Sequence, residues 1–177
     1  MKIRIATQKD LDTLYSFFNE IIDHQVYDEY GAKWTKDVYP SRKDLEEKIV
    51  NDRFYMMMDE DRIMAAGCLS FHEDENYADK PWTIRCQDSR IAVLHLFCVH
   101  PDYRGKHIAG PFLSYLIEEA REKADAIHLD TIDDNLPAIK LYEKNGFRSI
   151  GSYDVYYEDT GDVTVNLLEY NYEKTIS

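Results

Sequence analysis

Between Val99 and Ala120 the chain reads VHPDYRGKHIAGPFLSYLIEEA: an apolar strand end, a short basic turn, then an amphipathic helix. That order gathers backbone N–H groups and the side chains of Arg104 and Lys106 at a helix N-terminus, where aligned peptide dipoles favour an anion. Neither GxxxxGK[ST] nor GxGxxG occurs in the chain, so the commonest phosphate loops are excluded. A second candidate is His95, within the apolar run Ile91–Val99. A histidine near its usual pKa suits proton abstraction, although a lone histidine in an apolar strand is more often a satisfied core residue. Strand alternation puts Cys98 on the face opposite His95, which argues against a Cys–His nucleophilic pair. The other histidines show no HExxH spacing, and Cys68, Cys86 and Cys98 form no CxxC pair, so no metal site is expected.

The whole-chain properties narrow the field. The 177 residues suffice for one domain with a real core, and a single domain over 1–177 is expected. No apolar run reaches bilayer length and the opening MKIRIATQKD lacks the apolar stretch of a signal peptide, which suggests a cytoplasmic protein with no membrane partner. An odd cysteine count fits a reduced compartment. The net charge of −13 disfavours nucleic acid as a partner and favours cationic substrates, although acidity also serves solubility.

The elements that must position these residues follow from periodicity. Lys2–Ala6 suggests a strand, with Thr7 and Asp10 at capping-box spacing before helical repeats at Leu11, Leu14, Tyr15, Phe18, Ile21 and Ile22. Residues 23–40 break that period and are rich in aromatics. Ser41 caps a second helix to about Val50. A hairpin, Phe54–Met58 and Ile63–Phe71, turns at Asp59-Glu60-Asp61. His72–Ser89 is polar and is expected to be a long loop, with Glu73, Asp74 and Glu75 solvated. Ile91–Val99 is apolar enough to be a central strand. A helix over about 108–123, a short strand Ala126–Asp130 and a helix Asn135–Lys144 follow, with Gly146 where a left-handed cap belongs. Phe147–Tyr157 and Val163–Tyr172 close the chain as two strands. The order β α α β β β α β α β β mixes hairpins with crossovers and predicts a mixed sheet of α+β type.

Three segments together resemble the GNAT superfamily of acyl-CoA-dependent N-acetyltransferases. Arg104-Gly105-Lys106-His107-Ile108-Ala109 is similar to the family loop R/Q-x-x-G-x-G/A. Asn135-Leu136-Pro137-Ala138-Ile139-Lys140-Leu141-Tyr142-Glu143-Lys144-Asn145-Gly146-Phe147 matches N-x-x-A-x-x-L-Y-x-x-x-G-F closely. The opening Ile3-Arg4-Ile5-Ala6-Thr7 with Asp10-Leu11 is a common family start. With the element order, the resemblance spans essentially the whole chain. It departs at His107, where the family has a glycine that leaves room for backbone N–H groups to approach a pyrophosphate.

The resemblance implies a central mixed sheet of about seven strands flanked by about four helices. It implies acetyl-CoA as cosubstrate, no metal, and direct acetyl transfer to a primary amine of a small molecule or peptide through a tetrahedral intermediate. The cofactor would lie along Leu96, Phe97, Cys98 and Val99 and be held at Arg104, Gly105, Lys106, His107, Ile108, Ala109 and Asn135. Tyr142 would be the general acid for the departing sulfur. Asn135 and Tyr142, seven residues apart, share a helix face at a separation of about 10 Å. Only about one alkyl amine in two thousand is neutral at pH 7, so a base is needed. The family's base position falls on Val93, which cannot titrate, and His95 is the nearest candidate on the same face. Tyr27, Tyr30, Trp34 and Tyr39 would either wall the acceptor cleft or anchor a loop on the core. His107 and the missing carboxylate base motivate an alternative, a weak or inactive acyl-CoA-binding module of the same fold. The two last strands offer edges for a possible homodimer.

Overall fold

The computed structural model describes residues 2–85, 89–157 and 161–172. Cys86, Glu158, Asp159 and Thr160 lie outside them. The order is β1 (Lys2–Ile5), α1 (Leu11–His24), α2 (Arg42–Asn51), β2 (Arg53–Asp59), β3 (Arg62–Ser70), β4 (Ile91–Val99), α3 (Ala109–Ala120), β5 (Ala126–Ile132), α4 (Leu136–Lys144), β6 (Arg148–Tyr157) and β7 (Gly161–Asn171). The seven strands form one sheet, ordered β1-β2-β3-β4-β5-β7-β6. Only β4 and β5 pair in parallel; every other neighbouring pair is antiparallel. The fold is therefore the mixed α+β arrangement that the element order predicts.

Each face carries two helices. On one side α1 and α2 set Leu14, Phe18 and Leu45 against Phe54, Met56, Ala66 and Cys68. Leu14 and Phe18 lie four apart on the stripe that the periodicity marks; each fully buried side chain of this size contributes about 1.5–3 kcal/mol. On the other side α3 and α4 set Phe112, Leu116 and Tyr142 against Tyr55, Leu94 and Ile127. A third cluster joins the 72–89 segment, through Tyr77 and Trp82, to Val93, Ala126 and Leu167. Helix ends follow the predicted chemistry. The Ser41 hydroxyl accepts from the Asp44 N–H, and Asn135 accepts from the Ala138 N–H. Gly146 closes α4 at φ +96°, where a Cβ would meet the Tyr170 ring at 2.9 Å.

Two irregularities in β4 shape the rest of the molecule. Its ladder with β5 has only three residue pairs, Ile91–Ala126, Ala92–Ile127 and Val93–His128, although β4 runs on to Val99 and β5 to Ile132. Past Val93 the two strands splay. Opposite β3 the register slips: Ala66 faces Cys98, but Cys68 faces His95, so β4 carries one extra residue. Leu96 absorbs it at φ +53°. The bulge overturns the alternation argument made from the sequence. Ala66 and Cys68 share a face of β3, so their partners Cys98 and His95 share a face of β4.

Candidate functional site

The basic turn folds as an open cradle. After Val99 a short 3-10 turn, Pro101–Tyr103, leads into Arg104, and α3 starts at Ala109. Gly105 has φ +72° and His107 φ +58°, so the histidine takes the left-handed conformation that a glycine would supply. That conformation costs a non-glycine residue about 1–2 kcal/mol. The α3 cap residue, Ile108, makes no side-chain cap hydrogen bond and the first turn of α3 holds no acid. By contrast α2 and α4 have polar caps. Uncapped N–H groups at a helix start are donors in want of an acceptor. Pro111 sits in the first turn, where its missing N–H costs least.

This helix start opens on a cleft of about 860 Å³ between α3 and α4. Of the predicted cofactor residues, Val99, Arg104, Gly105, His107, Ile108 and Ala109 border it. Lys106 does not; its ammonium lies over the Tyr103 ring, 4.8 Å from the centroid. Leu96, Phe97 and Cys98 lie along the splayed part of β4, and Asn135 caps α4, so these four are outside the cleft lining. Arg104 is partly engaged: its guanidinium reaches Asp28 at 2.7 Å, in the segment between α1 and α2. Eight lining residues were not among the predicted cofactor residues, Ser114, Lys144 and Asn145 among them. The Asn145 amide donates to the Leu141 carbonyl at 2.8 Å and accepts from the Ser114 hydroxyl at 3.2 Å. Lys144 and Asn145 stand at unconstrained positions of the family motif, so only the helix packing reveals them.

Tyr142 is buried, its ring packed against Phe97 at 6.0 Å and Phe147 at 5.6 Å between centroids. No hydrogen bond to its hydroxyl is made among the described residues. Burial, with the nearby Asp130 and Cys98, holds the phenol far above its usual pKa, so it keeps its proton. Phe97 is on the splayed part of β4, so the Tyr142 ring packs beside that segment. Burial likewise raises the Cys98 thiol, which argues against a nucleophilic role.

The opposite face of the sheet holds the groups expected to handle protons. His95 is part-buried, and burial, with Lys48 and His72, lowers its pKa to about 3. An imidazole so depressed is a poor proton acceptor near neutrality, which weighs against His95 as the base. Val93 is fully buried. Glu73 is not solvated either: it bonds His128 Nδ1 at 2.8 Å, and Glu169 reaches Nε2 at 3.3 Å. Trp82 stacks on that imidazole at 3.7 Å. The aromatic segment between α1 and α2 divides in two. Trp34 packs edge-on against Phe18 and Tyr39 joins the same cluster, whereas Tyr27 is 81% exposed. The segment is tied toward β5 and α4 by Lys33, whose ammonium is 2.9 Å from Asp134.

Asp130 carries no motif and was missed. It follows His128 by two residues on β5, so it faces the same side, past the last β4–β5 pair. The Tyr157 hydroxyl donates to it at 2.6 Å, and Tyr157 and Tyr77 act to lower its pKa. Desolvation nonetheless raises its pKa above the usual carboxylate value. Among the described residues no group of three or more His, Cys, Asp or Glu is placed to hold a metal, and no helix is long and apolar enough to cross a membrane.

Comparison with known proteins places this geometry. Solved structures superpose over nearly the full length. A GNAT-family acetyltransferase from Streptococcus agalactiae is 20% identical with a TM-score of 0.77, covering 98% of this chain and 96% of its own. A ribosomal-protein-alanine N-acetyltransferase from Brucella melitensis is 19% identical with a TM-score of 0.72, covering 97% and 100%. YncA from Salmonella typhimurium, solved with its cofactor acetyl-CoA, is 16% identical with a TM-score of 0.68, covering 100% and 96%. At these identities the likeness speaks for the fold. The family model for the acetyltransferase (GNAT) family matches residues 23–147. The chain belongs to the GNAT acetyltransferase family.

Proposed function

We propose that the protein transfers an acetyl group from acetyl-CoA to a primary amine of a small molecule or peptide. The observation that carries this reading is an uncapped helix start on a cleft bordered by Val99 at the end of β4, with the Tyr142 ring packed against Phe97 of the splayed segment. The residues fit acetyl-CoA. Backbone N–H groups of the 105–110 turn, with Arg104, would hold the diphosphate. The splayed edge of β4, Leu96 to Val99, offers unpaired backbone groups to the pantetheine arm. When bound, acetyl-CoA supplies an activated acyl group as a thioester. Tyr142, kept protonated by burial, gives a proton to the departing sulfur. A backbone N–H of the splayed segment polarises the acyl oxygen.

The two features that motivated a non-catalytic module lose force. His107 adopts the backbone conformation of the glycine it replaces, and Asp130 is a carboxylate at the splay. The experiment is a panel of primary amines with acetyl-CoA and detection of released thiol. We expect thiol release that depends on the amine; acetyl-CoA binding without release from any amine would overturn the reading.

A further inference from the structure

Asp130 is a part-buried acid beside the β4–β5 splay that lacks a cationic partner among the described residues. Its neighbours come from four elements: Tyr157 on β6, Tyr77 and Asp74 on the 72–89 segment, Tyr142 on α4, and His128 two residues back on β5. None of these forms an ion pair with it. Among the described residues the carboxylate has no Lys, Arg or His partner, whereas His128 next to it is already held by Glu73 and Glu169. A carboxylate partly removed from water is favoured in its charged form by a cation beside it, and without one its pKa rises, the direction found for Asp130. Tyr157 orients it and brings no positive charge to it. The aromatic rings around it suit an alkylammonium. Its position, past the last β4–β5 pair and close to the Tyr142 hydroxyl, is where an acceptor nitrogen must arrive in the reaction proposed above.

We propose that Asp130 binds the acceptor as a primary alkylammonium and takes its proton. This rests on the acetyltransferase reading. One proton passes from the R–NH₃⁺ group to the Asp130 carboxylate, freeing the nitrogen electron pair. That pair forms the C–N bond to the acyl carbon, and the C–S bond breaks. The sulfur takes the Tyr142 proton, and the resulting phenolate takes the surplus N–H proton of the new amide. Asp130 then releases its proton to water, so each turnover yields one amide, one thiol and one proton. The assignment also limits the acceptor. Lys33 is paired with Asp134, and no ion pair with a Lys, Arg or His reaches Asp130 among the described residues, so the site as described does not favour a carboxylate beside the amine.

The test uses n-butylamine as the probe, with Asp130→Asn and Tyr157→Phe. Without acetyl-CoA, n-butylammonium should raise the melting temperature of the wild-type protein, 1-pentanol should not, and Asp130→Asn should lose the shift. With acetyl-CoA, Asp130→Asn should lower kcat/KM about 100-fold at neutral pH. Its remaining rate should climb tenfold per pH unit toward the amine pKa. The wild-type profile should instead be level between its acid limb and that pKa. Tyr157→Phe removes a donor to the carboxylate, so Asp130 holds its proton more tightly and the acid limb should move to higher pH. That result stands even if Asp130→Asn does not fold. A butylammonium shift retained by Asp130→Asn, or an acid limb unmoved in Tyr157→Phe, would overturn the role of Asp130 while leaving acetyl transfer intact. Failure of the wild-type protein to acetylate any amine would overturn both.

Discussion

The two sides of the splayed strands are built in opposite ways. On the α3–α4 side the working groups are mostly backbone, exposed, and contiguous in the chain: a turn with two left-handed residues and an uncapped helix start. On the α1–α2 side they are side chains, largely buried, and drawn from distant segments: Glu73, Tyr77 and Trp82 meet His128, Asp130, Tyr157 and Glu169. The first suits a ligand part whose shape is constant, such as a diphosphate. The second suits a group that must be chosen by charge and size. Damage to the first should therefore cost cofactor affinity or rate, and damage to the second should cost stability as well.

The largest effect should come from Trp82→Ala. Trp82 is 4% exposed, stacks on His128 and donates its indole N–H to the Tyr77 carbonyl at 2.9 Å. Its loss should destabilise the protein by about 3–5 kcal/mol, measured by denaturant unfolding. A loss under about 1 kcal/mol would mean that the acceptor side is not the packed unit described. Next comes Tyr142→Phe, which removes one hydroxyl that bonds nothing among the described residues. It should reduce turnover by about 100-fold or more while acetyl-CoA still raises the melting temperature. An unchanged rate would remove Tyr142 from the chemistry.

A smaller effect should appear with pH. Burial alone would lower the His128 pKa, but its bonds to Glu169 and Glu73 outweigh this and raise it. A raised folded pKa means that the contribution of His128 is full below the unfolded value near 6.5 and is lost as pH rises through the folded value. Glu169 is lowered despite burial, by His128 and the Ile84 N–H, so its contribution is lost as pH falls below the ordinary carboxylate range. Stability should thus peak between the carboxylate range and the raised His128 pKa, and His128→Gln should flatten the alkaline side of that peak. A wild-type alkaline limb that persists in His128→Gln would break the assignment. The smallest effect is His107→Gly, which relieves left-handed strain and should leave the protein about as stable or up to about 1 kcal/mol more so. A large destabilisation would show that the imidazole holds the turn by its side chain.

This division also explains what the sequence reveals. The elements were legible because their apolar positions repeat at 3.6 or 2 residues, as in Leu14 and Phe18, and because Ser41, Asn135 and Gly146 are strong end signals. The basic turn was legible as a candidate anion site because its groups are local to six consecutive residues. The β4 bulge was not. An extra residue at Leu96 in a left-handed conformation leaves no mark in an apolar run, and it inverts every parity inference past His95. Asp130 was hidden for a related reason. Its role comes from Tyr77 and Tyr157, brought near by β5–β7–β6 pairing and the folding back of the 72–89 segment, and no spacing within the chain encodes that meeting.

The most direct test of the central claim is a crystal structure of the protein with acetyl-CoA. The account predicts the diphosphate on the backbone N–H groups of residues 105–110 and the sulfur within hydrogen-bonding reach of the Tyr142 hydroxyl. A diphosphate bound away from that turn, or a sulfur on the far side of β4 from Tyr142, would contradict it.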